Sequence, residues 1–157
     1  MEIKATDVAK LRKMTGAGMM DCKNALVESN GDFERAQEII REKGKLVAAK
    51  RADRETTEGS VIAITNEKKD RGILVCVGCE TDFVAKNKEF LDLAMGIARK
   101  ALEHFPENLE ALLNLPYQES TIADAVTQQT GKSGEKHVVV FYSRLESPYM
   151  GSYIHMN

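Results

Sequence analysis

At 157 residues the chain has room for one ordinary domain, or for a small domain followed by a medium one. With 43% hydrophobic and 29% charged residues, no apolar run long enough to span a bilayer and no apolar core of a secretion signal at the amino terminus, it reads as cytoplasmic with no membrane partner. A net charge of −2 lacks the Lys and Arg excess that phosphate neutralisation needs, which argues against direct nucleic-acid binding, and three cysteines, an odd number, imply reduced thiols rather than a disulfide framework.

Val8, Leu11, Arg12 and Thr15 stand at helical spacing with Thr6 or Asp7 available as a cap, so a first helix is predicted over residues 5–15. Gly16-Ala17-Gly18 stops it and allows a tight turn. A second helix follows over residues 20–29, with Cys22, Ala25 and Leu26 inward, and ends at Asn30-Gly31. Asp32 then caps a third helix, in which Phe33, Ala36, Ile39 and Ile40 keep the 3–4 spacing and Gly44 is the expected C-terminal cap. Three short helices in about 45 residues bury a small share of their surface, so this unit, residues 1–52, is expected to work in partnership. Lys45, Lys50, Arg51 and Arg54, with few large apolar neighbours, read as a solvated helical extension leading to a linker at 53–58.

From Gly59 the period changes. Residues 60–65 and 72–78 are rich in β-branched side chains and flank the polar turn 66–71, which predicts a hairpin whose second strand, apolar on both faces, is central or helix-covered. Asn87 can cap a long helix burying Phe90, Leu91, Ala94, Ile97, Ala98, Ala101 and Leu102 and ending before Pro106. Residues 107–114 read as one or two further helical turns. Ser120 or Thr121 caps a helix through Ile122, Ala125 and Val126 that Gly131 and Gly134 break. Residues 59–134 thus form a first α+β core subdomain. His137 to Tyr142 reads as a strand and residues 149–155 as the start of another, so 135–157 would open a second, incomplete subdomain; its unpartnered edge leads us to expect a fragment of a longer protein.

Between the second strand and the long helix lies the segment from Cys79 to Asn87, an elbow that sets a large apolar ring, Phe83, among charged neighbours. Read from the residues alone, Phe83 either folds back onto its own core or serves as a contact. Cys76-Val77-Gly78-Cys79 has metal-ligand or redox spacing but no matching second pair, and a redox motif opens a helix rather than ending a strand, so buried strand cysteines are expected. His104, His137 and His155 lie far apart with no nucleophile elbow, which argues against an enzyme. Glu67-Lys68-Lys69-Asp70 reads as a solvated turn.

Two stretches carry a family resemblance. Leu11-Arg12-Lys13-Met14-Thr15-Gly16-Ala17-Gly18-Met19-Met20-Asp21-Cys22-Lys23-Asn24-Ala25-Leu26 resembles the amino-terminal signature of the bacterial translation elongation factor Ts family, and Glu80-Thr81-Asp82-Phe83-Val84-Ala85-Lys86-Asn87 resembles its second signature, in the same order and at similar separation. The resemblance implies an α+β fold, namely a small three-helix domain similar to ubiquitin-associated domains followed by a core with an antiparallel sheet covered by helices. It implies a guanine-nucleotide exchange factor for the GTPase elongation factor Tu, acting by binding, with no cofactor, no metal and no catalytic residue; it does not fix the oligomeric state. Asp82 and Phe83 would form the tip that enters the GTPase near its magnesium site, flanked by Thr81 and Val84. Leu11, Met14, Thr15, Gly16, Ala17, Gly18, Met19 and Met20 would form a surface touching the same domain, with the methionines as adaptable contacts; the competing reading places Leu11 and one methionine in the core. The family continues into a second core subdomain, often with a helical hairpin insertion. The polar, glycine-rich run of residues 130–134 departs from the expected apolar helix end. A reading from another class, a module that binds a protein without driving exchange, is separated by following release of labelled GDP.

Overall fold

The computed structural model describes residues 2–156. Three helices come first: α1 (Ala5–Thr15), α2 (Met19–Glu28) and α3 (Phe33–Arg51). α1 covers the expected residues, but neither Thr6 nor Asp7 is its N-cap. Lys4 is its N-cap, and Asp7 reaches back to accept the Lys4 amide at 3.4 Å. Gly16, at φ 69°, ends α1 in the left-handed region that glycine enters freely. Asp32 caps α3 as expected, accepting the amides of Glu34 and Arg35 at 2.9 and 3.1 Å. Val8, Leu11, Ala17, Cys22, Ala25, Leu26 and Ala36 form one buried cluster.

Gly44 does not cap α3. The helix runs on through it to Arg51, and Gly44 is buried in mid-helix. The reason is tertiary, and it involves the last helix of the chain, described below.

β1 (Glu58–Thr65) and β2 (Arg71–Cys79) form the expected antiparallel hairpin, closed by Asn66, whose Oδ1 accepts the amides of Asp70 and Arg71 at 3.1 Å each. After β2 come α4 (Asp82–Ala85) and α5 (Lys88–His104), then α6 (Leu109–Leu113) and a small hairpin of β3 (Pro116–Tyr117) and β4 (Ser120–Thr121) that periodicity did not foretell. Thr121 caps α7 (Ile122–Ser133), and β5 (Val138–Glu146) pairs with the free edge of β2. The sheet order β1-β2-β5 makes β2 the central strand, as its two apolar faces required. Phe90, Leu93, Ala94, Ile97, Ala98 and Ala101 of α5 pack on it with Val75, Val77 and Val139. Leu91 was expected inward but is 41% exposed, because it lies beside this stripe rather than on it. The architecture is α+β, and no helix among the described residues is long and apolar enough to cross a membrane.

Two glycine readings are corrected together. Gly131 does not break α7; Gly134, at φ 75°, is its left-handed cap. A Cβ on Gly131 would stand 2.6 Å from the Cα of Gly44, so the two glycines are where α7 and α3 cross backbone to backbone. That crossing explains the glycine in the 130–134 run. Beside it the Gln128 side chain donates to the Arg41 carbonyl at 3.3 Å.

Residues 149–155 are not a strand. The Ser147 and Met150 amides bond back to the carbonyls of Asp70 and Lys69 at 3.0 and 2.9 Å, so the chain leaves β5 by folding onto the hairpin turn.

Candidate functional site: the braced elbow after β2

Local chemistry turns the chain between β2 and α5 into a single helical turn. Thr81 is extended and caps α4 by accepting the Val84 amide, and Asn87 caps α5 by accepting the Glu89 amide at 2.8 Å. In so short a helix the faces separate cleanly. Val84 and Ala85 pack on the core cluster, whereas Asp82, Phe83 and Lys86 face outward. Phe83 is 83% exposed, so it does not fold back onto its own core. The Lys86–Asp82 pair, 3.5 Å apart and well exposed, contributes little to holding the turn.

What holds it comes from far along the chain. The Thr81 amide and hydroxyl both donate to Glu135, at 3.0 Å to Oε1 and 2.6 Å to Oε2. Glu80 Oε1 accepts the Lys136 amide at 2.7 Å, and its Oε2 accepts from Arg51 at 3.2 Å, at the end of α3. The Lys136 ammonium donates to the Ala52 carbonyl at 2.7 Å. Arg51, Glu135 and Lys136 were not anticipated as part of the site. No periodicity or cap marks contacts made across 29 to 56 positions.

His137 closes the floor beneath this brace. Its ring is 6% exposed and tilted against Phe90 at 5.4 Å between centroids. A carbonyl can only accept, so the 2.9 Å contact between Nδ1 and the Glu135 carbonyl assigns the proton to Nδ1; Nε2 has no partner among the described residues. Burial lowers its pKa below the ordinary 6.5, opposed by the Glu135 carbonyl and by the carboxylates of Glu135 and Glu80. The unfolded chain therefore takes up this proton first, and the folded state loses stability as pH falls through about 6.5. We expect the denaturation free energy to fall between roughly pH 7 and 5.5, and His137→Leu to flatten that slope; an unchanged slope in denaturant titrations would count against it.

The amino-terminal residues divide. Leu11 and Ala17 are buried, so their side chains serve packing and cannot form a contact surface, whereas Met14, Met19 and Met20 are exposed. Thr15 is half-buried, donating to the Leu11 carbonyl at 2.9 Å and accepting the Ala17 amide at 3.2 Å. Gly16 is the cap of α1 and Gly18 the N-cap of α2. Met14 and Thr15 also border a cleft of about 590 Å³ between the helical unit and α7, lined in part by Arg41, Asp124 and Gln128. Phe83 is not part of it.

A sequence model of the family described as Elongation factor TS matches residues 80–157, beginning at the elbow itself. Proteins named Elongation factor Ts are similar along nearly the whole chain. That of Christiangramia forsetii is 49% identical over 154 residues, 98% of this chain and 56% of the relative. That of Porphyromonas gingivalis is 51% identical over 156 residues, 99% and 56%, and that of Bacteroides fragilis is 48% identical over 157 residues, 100% and 47%. This chain belongs to the elongation factor Ts family. It spans about half the length of the curated relatives it matches. The two stretches that carry the resemblance lie across α1, the Gly16–Gly18 turn and α2, and at the elbow.

The paired cysteines find a structural explanation. Cys76 and Cys79 both lie within β2, and three positions along a strand put their side chains on opposite faces, so the two sulfurs cannot converge on one ion or join. Burial raises the Cys76 thiol, and burial, then the Glu135 and Glu58 carboxylates, push the Cys79 thiol up to about 11. Cys79 accordingly stays protonated at neutral pH and its Sγ lies 3.3 Å from the Thr81 carbonyl, to which it donates.

Proposed function

We propose that this chain provides nucleotide-exchange activity toward the GTPase elongation factor Tu, promoting GDP release during polypeptide elongation in the cytoplasm. The observation that carries the reading is Phe83, a large apolar ring 83% exposed on a turn braced by two distant segments. Family membership supplies the class of partner.

A GTPase holds GDP through phosphate-loop amides and a coordinated Mg²⁺. A rigid ring driven between the elements that position the metal's water shell weakens that hold without any proton transfer or covalent step. The factor needs only to bind the open GTPase better than the closed one, because a partner shifts an equilibrium by its differential affinity alone. Asp82 would meet the polar rim of the nucleotide site, and Thr81 and Val84 would set the direction of the ring. We further propose that residues 1–52 form a helical domain joined through 53–58 and docked on α7, whose Met14, Met19 and Met20 give a second apolar contact to the same partner.

The test is direct. Elongation factor Tu loaded with labelled GDP is mixed with increasing amounts of this chain and release is followed in time. Release should accelerate with factor concentration and saturate. Binding of the chain at the intrinsic release rate would overturn the exchange reading and favour an interaction module.

A further inference from the structure

We infer that Glu80 and Glu135 are positioning residues for the exchange tip: each carboxylate caps a backbone amide of the other's segment, and this reciprocal clasp sets the direction of Phe83. The inference rests on the wedge reading above and deepens it.

The geometry is an exchange between two dipeptides. Glu135 Oε1 takes the Thr81 amide at 3.0 Å while Glu80 Oε1 takes the Lys136 amide at 2.7 Å. Each carboxylate then spends its second oxygen elsewhere. Glu135 Oε2 takes the Thr81 hydroxyl at 2.6 Å, and Glu80 Oε2 takes the Arg51 guanidinium at 3.2 Å. Bonds to a charged acceptor are roughly twice as strong as neutral ones, and a carboxylate holding two donors at once fixes an angle as well as a distance.

The turn needs such external support. α4 is four residues long with no fully buried side chain, too short to hold its own conformation against fraying. Thr81 is its N-cap, so whatever fixes Thr81 fixes the first turn and the ring two residues on. The clasp also reaches α3, since Arg51 holds Glu80 and the Ala52 carbonyl accepts the Lys136 ammonium at 2.7 Å. The wedge and the helical unit are thereby referred to one frame.

A positioning role differs from plain stabilisation in what it moves. With Glu135→Ala we expect the maximal GDP-release rate at saturating factor to fall on the order of tenfold, short of the ~100-fold that a full 1 Å misplacement of a working group can cost, while the half-saturating concentration stays within a few-fold. Amide hydrogen exchange should speed up at residues 81–85 and remain unchanged along α5. Thr81→Ser, which keeps both donors, should behave as the parent. Thr81→Val, which loses one donor, should share the defect in milder form and serves as the second variant where Glu135→Ala does not fold. A parental maximal rate in Glu135→Ala, or a lowered rate with unchanged protection at 81–85, would overturn the positioning role. The two readings separate cleanly. If Phe83→Ala retains full exchange, the wedge fails whatever the clasp does; if Phe83→Ala is inactive and Glu135→Ala is not, the clasp alone fails.

Discussion

Phe83→Ala is expected to lower stimulated GDP release by about 30-fold, the effect of losing a single interface anchor of about 2 kcal/mol, with the fold intact. The two halves of that expectation have different sources. Phe83 is 83% exposed, so its removal opens no cavity and leaves no core contact unmade; surface substitutions of this kind stay within about 0.5 kcal/mol. The loss of activity follows from shape. A ring presents a rigid apolar blade with two rotatable bonds, and alanine leaves nothing long enough to separate two elements of the partner. Phe83→Tyr, which keeps the blade and adds a hydroxyl, should retain more activity than Phe83→Ala. Release kinetics with labelled GDP measure the first half and a thermal melt the second. Parental release from a folded Phe83→Ala protein would dispose of the wedge.

The second large effect is on stability, at the crossing of α3 and α7. A methyl at residue 131 would lie 2.6 Å from the Cα of Gly44, and backbone cannot swing aside as a side chain does. Gly131→Ala is therefore expected to lose about 1–3 kcal/mol through overpacking, despite the gain of about 1 kcal/mol that alanine offers over glycine in a helix. The mirror change behaves differently. A methyl at residue 44 would meet the Gln128 side chain, whose Oε1 is 2.7 Å away but which, as the end of a flexible side chain, can move at the cost of its 3.3 Å bond to the Arg41 carbonyl. Gly44→Ala should be near neutral. Parallel denaturant titrations check the pair, and equal effects at both positions would refute a backbone-to-backbone crossing.

This asymmetry also marks where reading the residues reached its limit. In a linear sequence both glycines look like helix stops, because glycine in a helix interior costs stability and most often ends a helix. Gly134 and Gly16 do end helices, each with a positive φ, but Gly44 and Gly131 are retained for closeness to another helix. Similarly, residues 149–155 had the β-branched and aromatic character of a strand, yet the carbonyls of residues 69–70 take the amides of Ser147 and Met150 and lead the chain onto the hairpin turn instead.

The elbow divides along the same line. Asp32, Asn87 and Thr121 were recognisable as caps, and β2 as a central strand, because capping depends on partners two or three residues away and strand character on a two-residue period. The exposure of Phe83 was open to either reading, and the family signature inclined it outward. The bonds that aim it were invisible. Glu135 and Lys136 stand in an unremarkable polar loop, Arg51 in a solvated charge run, and only the packing of α7 on α3 and the pairing of β5 with β2 bring them to Glu80 and Thr81. Likewise Leu11 and Met14 sit three positions apart in one signature, but the former is in the core and the latter in solvent. Local chemistry, acting over a few bonds, was enough to make the elbow and to place an aromatic ring on it. The direction in which that ring is held depends on charged groups 29 to 56 positions away, and such contacts exist only once the burial of α5 and β2 has brought their segments together.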